Sequence, residues 1–136
     1  MEHITKEEQM RMCETCSIRM AQKIIGGKWS LNILHLLSGG TKRFGELSKC
    51  MPMITQATLT KQLRVLEDAH LINRVVYPQV PPKVEYSLTE IGLKFLPVMK
   101  VLKEWAVEYK DFVEQLPEDQ RNIQNSLADT LLSLDM

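Results

Sequence analysis

Two basic side chains, together with nearby polar ones, are the residues of this chain best suited to bind a ligand. Lys61 and Arg64 lie about one helical turn apart in the segment that follows Thr55. Three hydrogen-bonding residues precede them: Gln56, Thr58 and Thr60. Ammonium and guanidinium groups pair with phosphates, while guanidinium, amide and hydroxyl groups read base edges. The set predicts contact with DNA. The alternative is a solvated helix face that binds nothing.

The segment that carries these residues has the periodicity of an amphipathic helix. Leu59, Leu63, Leu66 and His70 recur at i, i+4, i+7 and i+11, which places them on one stripe. Lys61 and Arg64 fall on the opposite face, with Ala57 and Asp68. Thr55 is a suitable N-cap, because its hydroxyl can accept from the free amides of the first turn.

A hairpin is predicted directly after this helix. Residues 72–77 and 84–88 are rich in β-branched and aromatic side chains, and the proline-rich segment 78–82 separates them. A helix followed by a hairpin is typical of a winged helix, whose helix enters the major groove while the wing reaches the neighbouring backbone. Arg43, Arg74 and Lys83 are candidates for contact with the DNA backbone. Arg74 could instead pair with Glu85 across the hairpin.

The three cysteines indicate a sensing thiol more than a metal site. Cys13 and Cys16 form a single CxxC, whereas structural zinc needs four ligands and the histidines are scattered, so we expect no metal. A helix is predicted to begin at Cys16 and end at Ile25. Free amides at its start, with the positive charge of that helix, would favour the Cys16 thiolate. Cys13 could then act as a resolving partner. The alternative for Cys16 is a small buried apolar residue. Cys50 is a second sensor candidate, although packing is its simpler role.

Composition and length are typical of a globular protein. The chain has 136 residues with 44% hydrophobic content, which predicts one domain. No apolar run approaches the roughly 20 residues needed to span a bilayer, and the N-terminus has no signal-peptide pattern. An odd number of cysteines argues against a secreted disulfide scaffold. We therefore expect a cytoplasmic protein with no membrane association.

Charge is unevenly distributed along a chain whose formal net charge is zero. Residues 1–16 carry net −2, residues 17–84 net +7 and residues 85–136 net −5. A basic segment that coincides with the predicted reading helix and wing is the pattern expected when one face meets phosphates. Chance segregation in a short chain is the alternative.

Helices are predicted on both sides of the winged helix. A polar arm at residues 1–15, either helical or frayed, and a helix to residue 25 come first, followed by a winged helix-turn-helix at residues 26–88. Residues 89–136 are predicted to form dimerisation helices. Between Ile91 and Val113 two apolar stripes run along one long helix that Pro97 should kink. A last amphipathic helix is predicted over residues 118–134. The fold class is thus mainly α with a small β-hairpin.

Several motifs together resemble one known family. They are Cys16-Ser17-Ile18, Gly26-Gly27-Lys28-Trp29, Arg43-Phe44-Gly45-Glu46-Leu47, Leu59-Thr60 with Leu63 and Leu66-Glu67, the run from Pro81 to Gly92, and Trp105. In combination they resemble the HxlR-type winged-helix transcription regulators, relatives of the MarR group. Ser17 stands where that family commonly has proline. The resemblance implies a homodimer on a palindromic operator. It also implies, for several members, a response to oxidants or electrophiles through the cysteine that aligns with Cys16.

The sequence therefore predicts a transcriptional regulator that binds an operator in double-stranded DNA as a homodimer. No Ser/His/Asp set, catalytic carboxylate pair or phosphate loop is visible. We accordingly expect neither an enzyme nor a cofactor. Two alternatives stay open, namely a thiol-based redox protein and a winged-helix module that binds only protein.

Overall fold

The computed structural model describes residues 3–121, apart from the side chains of residues 12–15. In chain order its elements are α1 (Lys6–Ile25), α2 (Ser30–Leu37), β1 (Lys42–Arg43), α3 (Phe44–Cys50), α4 (Gln56–Asp68), β2 (Ile72–Tyr77), β3 (Lys83–Leu88), α5 (Glu90–Lys94), α6 (Leu96–Glu114) and a 3-10 turn (Glu118–Gln120). Helices dominate, and the strands form one small sheet, which confirms the predicted fold class.

The chain divides into two compact units, residues 1–96 and 97–136. The first contains every strand and the helices α1 to α5, and the second contains nearly all of α6. The predicted single domain with three sections stays a prediction. Most of the helix predicted over residues 118–134 lies outside the described residues.

Helix α1 begins ten residues earlier than the sequence pattern predicted. Thr5 caps it, since its hydroxyl accepts from the amide of Glu8 at 3.2 Å, and the Glu8 carboxylate accepts from the amide of Thr5 at 2.8 Å. This reciprocal capping satisfies two amides that would otherwise lack partners. The predicted start at Cys16 is therefore wrong, and residues 6–15 are helical.

The core of the first unit lies between α2, α3, α4 and the sheet. Ile33, Leu34, Leu47, Leu59 and Leu66 are completely buried. Burying each such side chain contributes roughly 1.5–3 kcal/mol relative to leaving it exposed. Helix α2 packs on α4 and on β3, and α4 packs on β2. The core thus holds the exposed face of α4 in a fixed orientation relative to the sheet.

The sheet is antiparallel, with β3 between β1 and β2. Its register pairs Arg74 with Tyr86, Val75 with Glu85 and Tyr77 with Lys83 across the hairpin. On the other side of β3, Arg43 of β1 pairs with Glu85. The predicted wing is confirmed, and its second strand begins one residue earlier than expected, at Lys83.

The long helix predicted over residues 91–113 is two helices rather than one kinked helix. Helix α5 ends at Lys94, and α6 begins at Leu96. Pro97 has no amide hydrogen, so it cannot donate to the carbonyl of Leu93, and a continuous helix would lose that bond.

Candidate nucleic-acid interface

Helix α4 presents the predicted reading face to the surface. Leu59, Leu63 and Leu66 are buried, whereas Lys61 and Arg64 are exposed on the opposite face. The helix begins as predicted after Thr55, whose hydroxyl accepts from the amide of Thr58 at 3.1 Å. Burial of the leucine stripe therefore directs both cations outward, where phosphates or base edges can reach them.

The three other predicted α4 residues lie at its start. Gln56 is exposed, and Thr58 and Thr60 are half-buried. The Thr60 hydroxyl donates to the carbonyl of Gln56 at 2.8 Å, and the Thr55 hydroxyl donates to that of Thr58 at 2.8 Å. A hydroxyl has one proton and donates one hydrogen bond. The Thr58 hydroxyl can therefore still donate to a ligand, whereas the Thr60 hydroxyl can only accept a hydrogen bond from one.

The helix ends earlier than the predicted stripe. Asp68 is its last residue, and His70 is exposed with φ of 60° in the left-handed region. His70 therefore lies at the turn into β2 and not on the buried face of α4. His35 is also exposed, so neither of these histidines belongs to the core.

The sheet separates the three other predicted cations between its two faces. Arg74 shares a face with the buried Tyr86, whereas Arg43 and Lys83 share the opposite face with Glu85. We call this second face the outer face of the sheet; it carries Arg43, Asn73, Val75, Tyr77, Lys83, Glu85 and Ser87. Arg74 and Glu85 lie on opposite faces, so the alternative pairing of Arg74 with Glu85 is wrong.

Glu85 pairs instead with Lys83. The Lys83 ammonium lies 2.9 Å from a carboxylate oxygen of Glu85 and 5.0 Å from the centre of the Tyr77 ring. The pKa of Glu85 is lowered, and the hydrogen bond from Lys83 is the largest cause. Partial burial acts in the opposite direction and raises the pKa. The charge of Lys83, a hydrogen bond from Tyr77 and the charge of Arg43 lower the pKa further. The pair was not predicted, although a spacing of two along a strand places both side chains on one face.

Further cations lie elsewhere on the first unit. Lys49 is exposed in the last turn of α3, Lys42 is half-buried on β1, and Lys28 lies with its ammonium 5.2 Å from the Trp29 ring. All three residues fall within the basic segment 17–84. They were not predicted as site residues, because no periodic pattern connects them.

Cys16 does not lie at the start of a helix, where free amides were predicted to stabilise its thiolate. Cys16 is exposed in the middle of α1, two turns or more from either end, so free amides at a helix start cannot activate it. The Cys13 backbone belongs to the same helix, and its side chain is outside the description. Cys50 is exposed at the end of α3, which contradicts packing as its role. Both described cysteines are therefore accessible thiols.

Among the side chains that the structure describes, which are those of residues 3–11 and 16–121, no cluster of three or more histidine, cysteine or acidic groups has the arrangement of a metal site. In the same part of the chain, no helix combines the length and apolar character that crossing a membrane requires.

Known proteins share both the sequence and the fold. Residues 24–114 match the model of the HxlR-like helix-turn-helix family. Over 103 residues the chain is 50% identical to YdeP of Bacillus subtilis (strain 168), an uncharacterised HTH-type transcriptional regulator, and the match covers 76% of this chain and 80% of YdeP.

Two solved structures give the same result. The redox regulator HypR in its reduced form is 43% identical with a TM-score of 0.70, and the match covers 74% of this chain and 99% of HypR. A regulator assigned to the MarR family from Enterococcus faecalis V583 is 36% identical with a TM-score of 0.66, covering 75% of this chain and 93% of its own. These relatives are regulators of transcription and not enzymes. Because the family model matches more than half of its length, the chain belongs to the HxlR-like helix-turn-helix family of transcriptional regulators.

Proposed function

We propose that this regulator binds a palindromic operator in double-stranded DNA as a homodimer, with α4 in the major groove and the β2–β3 wing on the flanking backbone. The observation that carries the proposal is the exposed pair Lys61 and Arg64 on a helix whose other face is buried. In this arrangement Arg64 can read a guanine, and Lys61 can pair with a phosphate. Because DNA is the proposed partner, we also propose that the protein acts in the cytoplasm.

The excess of basic over acidic residues in the segment 17–84 also supports DNA as the partner. This segment includes α4, β1, β2 and the first two residues of β3, and it carries net +7 in a chain that is neutral overall. A positive surface attracts the phosphate backbone and releases its counterions, which makes the affinity depend strongly on salt. Arg43, Arg74 and Lys83 are proposed to supply backbone contacts from the sheet.

The homodimer is supported by an apolar stripe along α6. Val98, Val101, Leu102, Trp105 and Phe112 are all exposed and lie on one face of that helix. Trp105 stacks on Tyr109 with ring centres 5.3 Å apart, which extends the stripe. Exposed apolar surface of this kind marks a contact site. A twofold dimer would present two copies of α4 about 34 Å apart, one turn of DNA.

The apolar groove of the first unit is a further surface for such a contact. It has a volume of about 230 Å³ and is lined by Ala21, Ile24, Ile25, Leu71, Ile91, Lys94 and Phe95. Its lining joins α1 to α5, so the N-terminal helix is proposed to take part in the dimer, as expected from the sequence.

A response to oxidants or electrophiles through Cys16 is the last part of the proposal. Cys16 is exposed on α1, and the similar HypR is a redox regulator. Because α1 also lines the groove assigned to the dimer, modification of Cys16 would alter the spacing of the two reading helices. Cys13 or Cys50 is the alternative site of modification.

The proposal is tested by selecting duplexes from a random-sequence library with the wild-type protein, then measuring affinity over a range of salt concentrations. Lys61→Ala should flatten the salt dependence by about one unit, and Arg64→Ala should cost about 1–3 kcal/mol of binding free energy. Lys103→Ala, on the exposed surface of α6, is the control and should bind like wild type. If no duplex is enriched, the proposed DNA binding is wrong, and the thiol-based redox protein and the protein-binding module are the two alternatives that stay open.

A further inference from the structure

An acidic side chain lies among the cations that the sheet offers to DNA. Glu85 pairs in register with Arg43 on one side and with Val75 on the other, so it lies in the middle of the outer face. Lys83 is on the same face of the same strand, two residues earlier. A carboxylate at this position repels phosphate, and nothing in the packing of the core requires it, since Glu85 is only half-buried.

The contacts of Glu85 fix the position of Lys83. Its carboxylate holds the Lys83 ammonium at 2.9 Å, and the Tyr77 ring holds the same ammonium from a second direction at 5.0 Å. The backbone register places Arg43 beside Glu85 on the neighbouring strand. The carboxylate thus has one cation in contact and a second on the adjacent strand, and a lysine that would otherwise be free to move has two partners.

We propose that Glu85 is a positioning residue that holds Lys83 in one arrangement beside Arg43 and so makes the sheet discriminate operator from random DNA. The inference rests on the proposed DNA binding. A cation held in place loses little freedom when a phosphate lies at the matching position. Elsewhere on DNA, the carboxylate weakens the general attraction, because it cancels one positive charge and repels phosphates that come too close.

The test compares Glu85→Gln with wild type on two probes, the duplex selected by the wild-type protein and a scrambled duplex of equal composition. Without the carboxylate, binding to the scrambled duplex should tighten about three- to tenfold at physiological salt, with a salt slope steeper by about one unit. Affinity for the selected duplex should change less than about twofold. The ratio of the two affinities should therefore fall about three- to tenfold.

Four further proteins separate positioning from a mere change of charge or fold. Glu90→Gln removes one negative charge at an exposed site on α5 and should leave the ratio within about twofold of wild type. Glu85→Asp keeps the charge and should restore most of the ratio. In a protein that carries Arg43→Met and Lys83→Met, adding Glu85→Gln should have no larger effect on the ratio than Glu90→Gln, because the ammonium held by Glu85 and the cation beside it are gone.

The outcomes are distinct from those of the proposed function. If wild type enriches no duplex, DNA binding itself is wrong. If wild type is selective and Glu85→Gln keeps the same ratio, or changes it equally in the Arg43→Met, Lys83→Met background, then Glu85 does not position Lys83. Circular dichroism of each variant verifies folding. If Glu85→Gln does not fold, Lys83→Met decides the question, because loss of a positioned ammonium should lower the ratio, whereas an equal loss of affinity on both duplexes contradicts the proposal.

Discussion

The Thr89 hydroxyl donates a hydrogen bond of 2.6 Å to the carbonyl oxygen of His70, nineteen residues earlier in the chain. The Thr89 amide donates to the neighbouring carbonyl of Leu71 at 3.0 Å, and the Thr89 hydroxyl also accepts from the amide of Gly92 at 3.1 Å. One threonine therefore joins the turn after the reading helix to the start of α5 and caps that helix.

Replacing Thr89 with alanine should destabilise the first unit. The change removes a helix cap and a bond to a backbone carbonyl, which together predict a loss of about 1–2 kcal/mol in the free energy of unfolding. Urea denaturation at fixed protein concentration measures it. Thr89→Ser keeps the hydroxyl and should lie within about 0.5 kcal/mol of wild type. Equal destabilisation by both variants would show that the methyl group and not the hydroxyl matters.

The apolar stripe of α6 should control the oligomeric state. Trp105→Glu places a charge in the centre of the stripe, and because an unpaired buried charge is costly, the variant should be monomeric at micromolar concentration. Val107 is equally exposed but lies on the opposite face of α6, so Val107→Glu is a matched control that should stay dimeric. Sedimentation velocity distinguishes the two. A wild-type protein that is itself monomeric would contradict the homodimer.

Cys16 should carry any response to thiol reagents. The Cys16→Ser variant should keep its affinity for the selected duplex in the presence of a quinone or a mild oxidant, whereas wild type loses it. Cys50→Ser, which removes the other exposed described thiol, should respond like wild type. If wild type responds and Cys16→Ser responds equally, the reactive thiol is Cys13 or Cys50. An unresponsive wild type would mean that a different signal controls the regulator.

The pair of Lys83 and Glu85 should contribute stability in a pH-dependent way. Lys83, with help from Tyr77 and Arg43, lowers the pKa of Glu85 in the folded state. A carboxyl whose pKa is lowered by folding stabilises the protein above its unfolded pKa and loses that effect as the pH falls through the folded value. The difference in thermal stability between wild type and Glu85→Gln should thus be present at neutral pH and disappear in acid. A difference independent of pH would contradict the assignment to the ionised pair.

Local patterns in the sequence determined much of this protein. The leucine spacing of residues 59–66 predicts which face of α4 is buried, because a helix of 3.6 residues per turn can hide only one stripe. Thr55 marks the start of that helix, and prolines between two β-branched runs mark the wing. The outward direction of Lys61 and Arg64 follows from the same spacing, so this part of the candidate site was predictable.

Three features of the structure were not predicted correctly from these local patterns. The position of Cys16 within α1 was misjudged, although the Thr5 and Glu8 pattern of a capping box is present in the sequence. Pro97 predicts an interruption of the helix near its own position. Pro97 alone does not decide whether that interruption is a kink within one helix or a break between two, as between α5 and α6. The register between strands decided that Arg43 and not Arg74 shares a face with Glu85, because a shift of one residue would reverse which side chains share a face. Tertiary structure decides that register, since the turn and the buried Tyr86 select it together.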